Sequence, residues 1–124
     1  MGLVNRLNHV DVIIPRGSEV KAREFYCDFL GLVEVSKPAH LAKNGGLWLS
    51  LGQVQIHLSI QDGYDPSQTK AHLAYEVTDL KSLQTLLSGR GIKINENSPV
   101  PGFIRFDIRD PFGNRIEFLQ PTYT

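Results

Sequence analysis

Leu7-Asn8-His9-Val10-Asp11-Val12-Ile13-Ile14 alternates along its length, and Ala71-His72-Leu73-Ala74-Tyr75-Glu76-Val77 alternates in the same phase in the second half of the chain. Successive side chains of a strand point to opposite faces. His9, Asp11 and Ile13 therefore share one face, and Val10, Val12 and Ile14 the other. In the second stretch His72, Ala74 and Glu76 lie opposite Leu73, Tyr75 and Val77. A histidine opens each strand, and the two lie 63 positions apart (72 − 9).

Working outward, Pro15-Arg16-Gly17 stops the first strand and Ser18 stands as the N-cap of a helix. Ala22, Phe25, Tyr26, Phe29 and Leu30 fall at helical spacing on its core face, with Gly31 as the residue just past its end. A short strand over 32–36 follows, then a polar loop around Asn44-Gly45-Gly46. Strands over 47–51 and 54–60 form a hairpin turned at Gly52-Gln53. The second half repeats this order: a strand over 72–77, a helix capped by Thr78 or Asp79, a strand over 92–94 and a loop over 95–102. The helix buries Leu80, Leu83, Leu86 and Leu87 and ends near Gly91. A last hairpin, 103–108 with 114–119, turns through Asp110-Pro111-Phe112-Gly113-Asn114.

Both halves read β-α-β-β-β, so the fold class is α+β: two βαβββ modules, 4–61 and 70–120, joined by a linker over 62–69 within a single domain spanning 1–124. His57 on the last strand of the first module and Glu117 on the last strand of the second lie 60 positions apart (117 − 57), nearly the period of His9 and His72. Each main strand has an apolar face suited to burial under a helix and a polar-rich one. A curled sheet turns the polar faces toward one concavity.

Lys+Arg and Asp+Glu both number 13, so the formal net charge is zero and no basic stripe is available for nucleic acid. Apolar runs such as Val12-Ile13-Ile14 are too short to span a bilayer. The start of the chain has no apolar segment of the signal-peptide kind, and the lone Cys27 excludes an internal disulfide and reads as inert packing on the helix. These features lead to the expectation of a cytoplasmic protein with neither nucleic acid nor membrane as partner.

Imidazole and carboxylate groups suit zinc, iron, manganese, nickel or cobalt. His9, His57, His72 and Glu117 are thus the candidate ligands of one divalent metal per site. Donors held on rigid strands, without cysteine, describe a catalytic site with positions left open. Glu117 and His57 are the candidate catalytic groups. Trp48, Arg105 and Arg115 are the candidate substrate-binding residues, the arginines for an anionic substrate, although solvated charge is the commoner role for each. Asp11 and Glu76 are candidate acid, base or supporting groups. His40 falls outside the repeat.

The segments Leu7-Asn8-His9-Val10, Ala22-Arg23-Glu24-Phe25-Tyr26, Phe29-Leu30-Gly31-Leu32, Ala71 to Val77 and Asp110-Pro111-Phe112-Gly113-Asn114-Arg115-Ile116-Glu117-Phe118 together resemble the vicinal oxygen chelate superfamily, the glyoxalase I/bleomycin resistance protein/extradiol dioxygenase group. The resemblance implies paired modules forming a cupped mixed sheet around a divalent metal that the substrate chelates through neighbouring oxygens. By position it implies a ligand set of His9, His72 and Glu117, similar to that of the dioxygenases and fosfomycin-modifying enzymes. Glyoxalase I adds a carboxylate where this chain has His57. The resemblance also implies a homodimer in which His9 and His57 of one chain join His72 and Glu117 of the other. The resulting expectation is a metal-dependent lyase, isomerase or dioxygenase acting on a small oxygen-rich metabolite or xenobiotic. The alternative is a bleomycin-resistance-like protein that sequesters a drug or metabolite without catalysis.

Overall fold

The computed structural model describes residues 2–122 and divides them into two compact units, separated between Tyr64 and Asp65. In the first unit, β1 (His9–Ile14) leads into α1 (Glu19–Ala22), a π-helical segment (Arg23–Phe29), β2 (Val33–Val35), a 3-10 turn (Ala39–Asn44) and the hairpin β3 (Leu47–Leu51) and β4 (Val54–Ile60). The second contains β5 (His72–Glu76), α2 (Leu80–Gly89), β6 (Asn95–Glu96), β7 (Phe103–Arg109) and β8 (Arg115–Pro121). Their sheets have the same topology, β1-β4-β3-β2 and β5-β8-β7-β6, with the outer β1–β4 and β5–β8 pairs parallel and the hairpins antiparallel. The α+β class and the mixed sheets agree with the sequence reading. No helix among the described residues is long and apolar enough to cross a membrane.

Register confirms the division of faces. Ile56 and Leu58 of β4 lie beside the half-buried Val10 and Val12 of β1 and belong, with Ile14, Phe25 and Tyr26, to the first core. In the second unit Phe106, Ile108, Ile116, Phe118 and Tyr75 form the corresponding face with Leu80 and Leu87 of α2. Asp79 caps that helix by accepting from the Ser82 amide at 3.0 Å.

Four local expectations need correction, the first being Leu86, which α2 leaves 59% exposed instead of burying. Ser18 occupies the N-cap position, but its hydroxyl donates to the Pro15 carbonyl at 2.5 Å and makes no side-chain cap. The first helix is α-helical only through Ala22. Beyond it, bonds such as Leu30 N–H to the Phe25 carbonyl span five residues, and Phe25 and Tyr26, adjacent in sequence, are both buried in edge-to-face contact. The strand expected over 92–94 lies instead at Asn95–Glu96. Gly91, at φ 76°, closes α2 by donating to Ser88, and Ile92 donates to the Leu87 carbonyl, so the start of that segment is committed to the helix end.

Gly46 tightens the first unit. At φ 80° it lies so close to β4 that a Cβ would stand 2.1 Å from the Leu58 carbonyl oxygen, and its amide donates to the Glu19 carboxylate at 3.0 Å. That bond holds Glu19 below the usual carboxylate pKa. Gly52, at the hairpin turn, has φ 60° but open space around it. Gly52→Ala is therefore expected to cost only the left-handed backbone penalty of about 1–2 kcal/mol. Gly46→Ala adds a collision with backbone and is expected to cost at least about 3 kcal/mol. Urea unfolding of the two variants measures the difference.

Candidate functional site

The candidate ligands fall into two pairs, one on each unit, and register places them equivalently. His9 sits beside Gln55, two residues before His57, and His72 sits beside Arg115, two residues before Glu117. The repeat inferred from spacing is thus a repeat in the sheets. Among the described residues, no group of three or more His, Cys, Asp and Glu side chains is gathered to hold a metal ion.

In the first unit the pair is part of an aromatic stack. Trp48 lies directly across from His57 on β3, and their rings are parallel within 2° with centroids 4.2 Å apart. His9 covers the other face of His57, also at 4.2 Å, with an angle of 18°. His57 Nε2–H donates to Gln55 Oε1 at 2.8 Å, and His9 Nδ1–H donates to Asn8 Oδ1 at 3.0 Å. The lone pair left to His9 is on Nε2. Burial lowers the pKa of His57, with the neighbouring His9 adding to the effect.

This geometry tests His57 as a ligand. Imidazole binds metal through a lone pair in the ring plane, at roughly 2.0–2.1 Å. Two rings stacked face to face direct their lone pairs along parallel planes, so an ion between them lies well out of both. His9 and His57 as stacked do not fit a single ion. His9 fits alone, with His57 supporting its ring.

In the second unit the pair is differently built. His72 Nδ1–H donates to the Lys70 carbonyl at 2.8 Å, which leaves the Nε2 lone pair 3.9 Å from Glu117 Oε2. A backbone carbonyl that fixes the tautomer in this way is a regular feature of metal-binding histidines. These two residues fit a divalent ion as neighbouring ligands. The other carboxylate oxygen, Oε1, accepts from Arg105 Nη1 at 2.8 Å, and Arg105 Nε–H donates to the Ser98 carbonyl. Glu117 is only 6% exposed, so this guanidinium is its main compensation.

Asp107, directly across from Glu117 and 5% exposed, needs compensation of its own. It accepts from Arg115, Asn95 and Asn97 at 2.9, 3.2 and 2.7 Å. Burial raises its pKa, but these bonds outweigh burial and hold it below the ordinary carboxylate value. Arg115 is thus committed to Asp107. Asp107 is a residue that sequence reading missed, although it and Glu117 are equidistant from Phe112 in the hairpin turn. Asn8, Gln55 and Asn97 gave no such signal.

A cleft of about 610 Å³ opens beside the aromatic stack, lined by Trp48, His57, Asp11, Ser59, Lys37 and Leu41 among others. Trp48 therefore lines a cavity. Asp11 lies beside His57 in register, whereas Glu76 and His40 are exposed and belong to neither cluster.

Residues 6–118 match the model of the Glyoxalase/Bleomycin resistance protein/Dioxygenase superfamily. The chain belongs to this superfamily. A solved structure from Bacillus anthracis, described as a glyoxalase family protein, superposes with a TM-score of 0.89 at 35% identity, covering 98% of this chain and 99% of that one. The superfamily fold also matches TnmS3, an antibiotic binding protein from Streptomyces sp. CB03234, at TM-score 0.75, 20% identity and coverage of 98% and 100%. The fosfomycin resistance protein FosX from Listeria monocytogenes matches at TM-score 0.75, 14% identity and coverage of 97% and 96%. At these last two identities the likeness concerns the fold alone. No curated protein matches the chain.

The Arg105–Glu117 pair makes a stability test available. Arg105→Met leaves a buried carboxylate unpaired and is expected to cost about 2–3 kcal/mol, less than for a wholly buried pair because Arg105 is partly exposed. Glu117→Gln in the same chain should restore at least about 1 kcal/mol. A double-mutant cycle by chemical denaturation checks this, and strictly additive losses would contradict the pairing.

Proposed function

We propose that this protein is a divalent-metal-dependent enzyme of the glyoxalase/dioxygenase type, acting on a small oxygen-rich molecule. The observation that carries the reading is His72, with its tautomer fixed by the Lys70 carbonyl and Nε2 turned toward Glu117 Oε2 at 3.9 Å. His72 and Glu117 supply two ligands, and His9 supplies a third through Nε2. The donor set suits iron, manganese, zinc, nickel or cobalt. When bound, such an ion supplies Lewis acidity toward the substrate's oxygens.

This reading assigns other roles to the chain's residues. His57 is a positioning residue that braces His9 from behind and is not itself a ligand. Asp107 and Arg115 fix the strand pair that carries Glu117. Arg105 holds the Glu117 carboxylate in place through Oε1. The two halves of the ligand set meet in a homodimer, with His9 of one copy facing His72 and Glu117 of another, and the two modules of each chain serve as one domain. The soluble, cytoplasmic setting expected from the sequence belongs to the same proposal.

A second reading is favoured by the cleft beside Trp48, whose aromatic and cationic lining suits capture of a ligand without catalysis. The two separate on metal dependence. Protein purified without chelators or an affinity tag should contain about one divalent ion per chain, as one site per chain requires. His72→Ala should lose most of it, while His57→Phe, which preserves a stacking ring, should keep it. Elemental analysis reads both. Substoichiometric metal insensitive to His72→Ala, together with ligand binding that survives chelator, would favour sequestration.

A further inference from the structure

Arg105 bonds Glu117 through Nη1 and Ser98 through Nε, and its Nη2 has no hydrogen-bond partner among the described residues. The Arg105 side chain is 28% exposed and Nη2 is not buried, so solvent reaches it. Arg115, by contrast, is drawn onto Asp107 and Lys70. Each guanidinium thus keeps one nitrogen without a partner among the described residues, Nη2 of Arg105 and Nε of Arg115, but only Arg105 also holds Glu117.

Charge sharpens the distinction. Arg105 and Glu117 cancel, as do Arg115 and Asp107, and Arg109 is matched by Glu76, so the polar face is neutral before any ion arrives. A divalent cation drawing on Glu117 Oε2 would leave two positive charges uncompensated on that face. It would also take from Arg105 much of the carboxylate charge now facing it at 2.8 Å. Like charges this close in a partly desolvated site repel strongly. A ligand that carries two negative charges on neighbouring oxygens restores neutrality. One end meets the cation and the other takes the free Nη2 donor.

Resting on the metal reading above, we infer that Arg105 makes the strength of metal binding depend on the substrate and that the substrate is dianionic, of the dicarboxylate, phosphonate or phosphate class. Metal and ligand then bind cooperatively, each raising the other's affinity by the same factor. Arg105 weakens the binding of the ion alone and selects the ligand that accompanies it.

The test measures Mn²⁺ affinity by the electron paramagnetic resonance of the free ion, with and without oxalate, corrected for manganese oxalate in solution. Oxalate should tighten Mn²⁺ binding to the wild-type protein about tenfold or more, within the usual range of such coupling. Arg105→Met should bind Mn²⁺ more tightly than wild type without oxalate and should lose the oxalate gain. Arg105→Lys, which keeps the charge beside Glu117, should retain part of it and serves if the Met variant does not fold. An oxalate gain that survives in Arg105→Met, or weaker Mn²⁺ binding in that variant without oxalate, overturns the inference. So does wild-type Mn²⁺ binding that is lost in His72→Ala yet indifferent to oxalate, an outcome that leaves the metal reading standing. Absence of His72-dependent Mn²⁺ binding with or without oxalate removes both.

Discussion

Asp107 and Glu117 stand directly opposite each other on an antiparallel strand pair, both almost wholly buried. Like charges in that relation destabilise a sheet unless each is compensated. The compensation is diagonal: Arg105 on β7 reaches Glu117 on β8, while Arg115 on β8 reaches Asp107 on β7. Much of the second unit's polar face follows from this crossed arrangement. It holds the hairpin in one register, since a slip of one residue along either strand would turn that strand's two charges into the apolar core. It also leaves Glu117 with one oxygen bonded and the other directed toward His72.

The first unit occupies the corresponding register positions with different chemistry. His57 takes the place of Glu117 and Trp48 the place of Asp107, so neutral rings stack where the second unit has ion pairs. Stacking needs no counter-ion, and burial holds His57 toward its neutral form. One module thus carries an aromatic wall beside a cleft, and the other a charged anchor. In the proposed enzyme these are complementary contributions, surface for a ligand and the His9 donor from the first, and the other two metal donors from the second.

Much of the architecture was legible in the chain because it depends on periodicity and on glycines with a conformational duty. The alternation of 7–14 and 71–77 located β1 and β5, Gly31 and Gly91 closed the helices, and Gly52 turned the first hairpin. The departures arise where a residue has two competing local partners. Ser18 bonded back to Pro15 instead of capping, and Ile92 was taken by the end of α2. At the site, alternation identified the face on which each candidate lies but not its partner. His57 and Glu117 look equivalent by spacing, yet cross-strand neighbours put one in a stack and the other in an ion pair. Arg105 and Arg115 likewise looked alike, and only their diagonal contacts distinguish them.

The account depends on which ring nitrogens are left unprotonated, and long-range ¹H–¹⁵N correlation of the histidine rings observes this directly. Protein stripped of metal should show His9 and His72 carrying their proton on Nδ1, with bare Nε2, and His57 carrying its proton on Nε2. Added Zn²⁺ should then shift the Nε2 signals of His9 and His72 while His57 keeps its Nε2 proton. A His57 that loses that proton to the metal while His72 is unmoved would contradict the account.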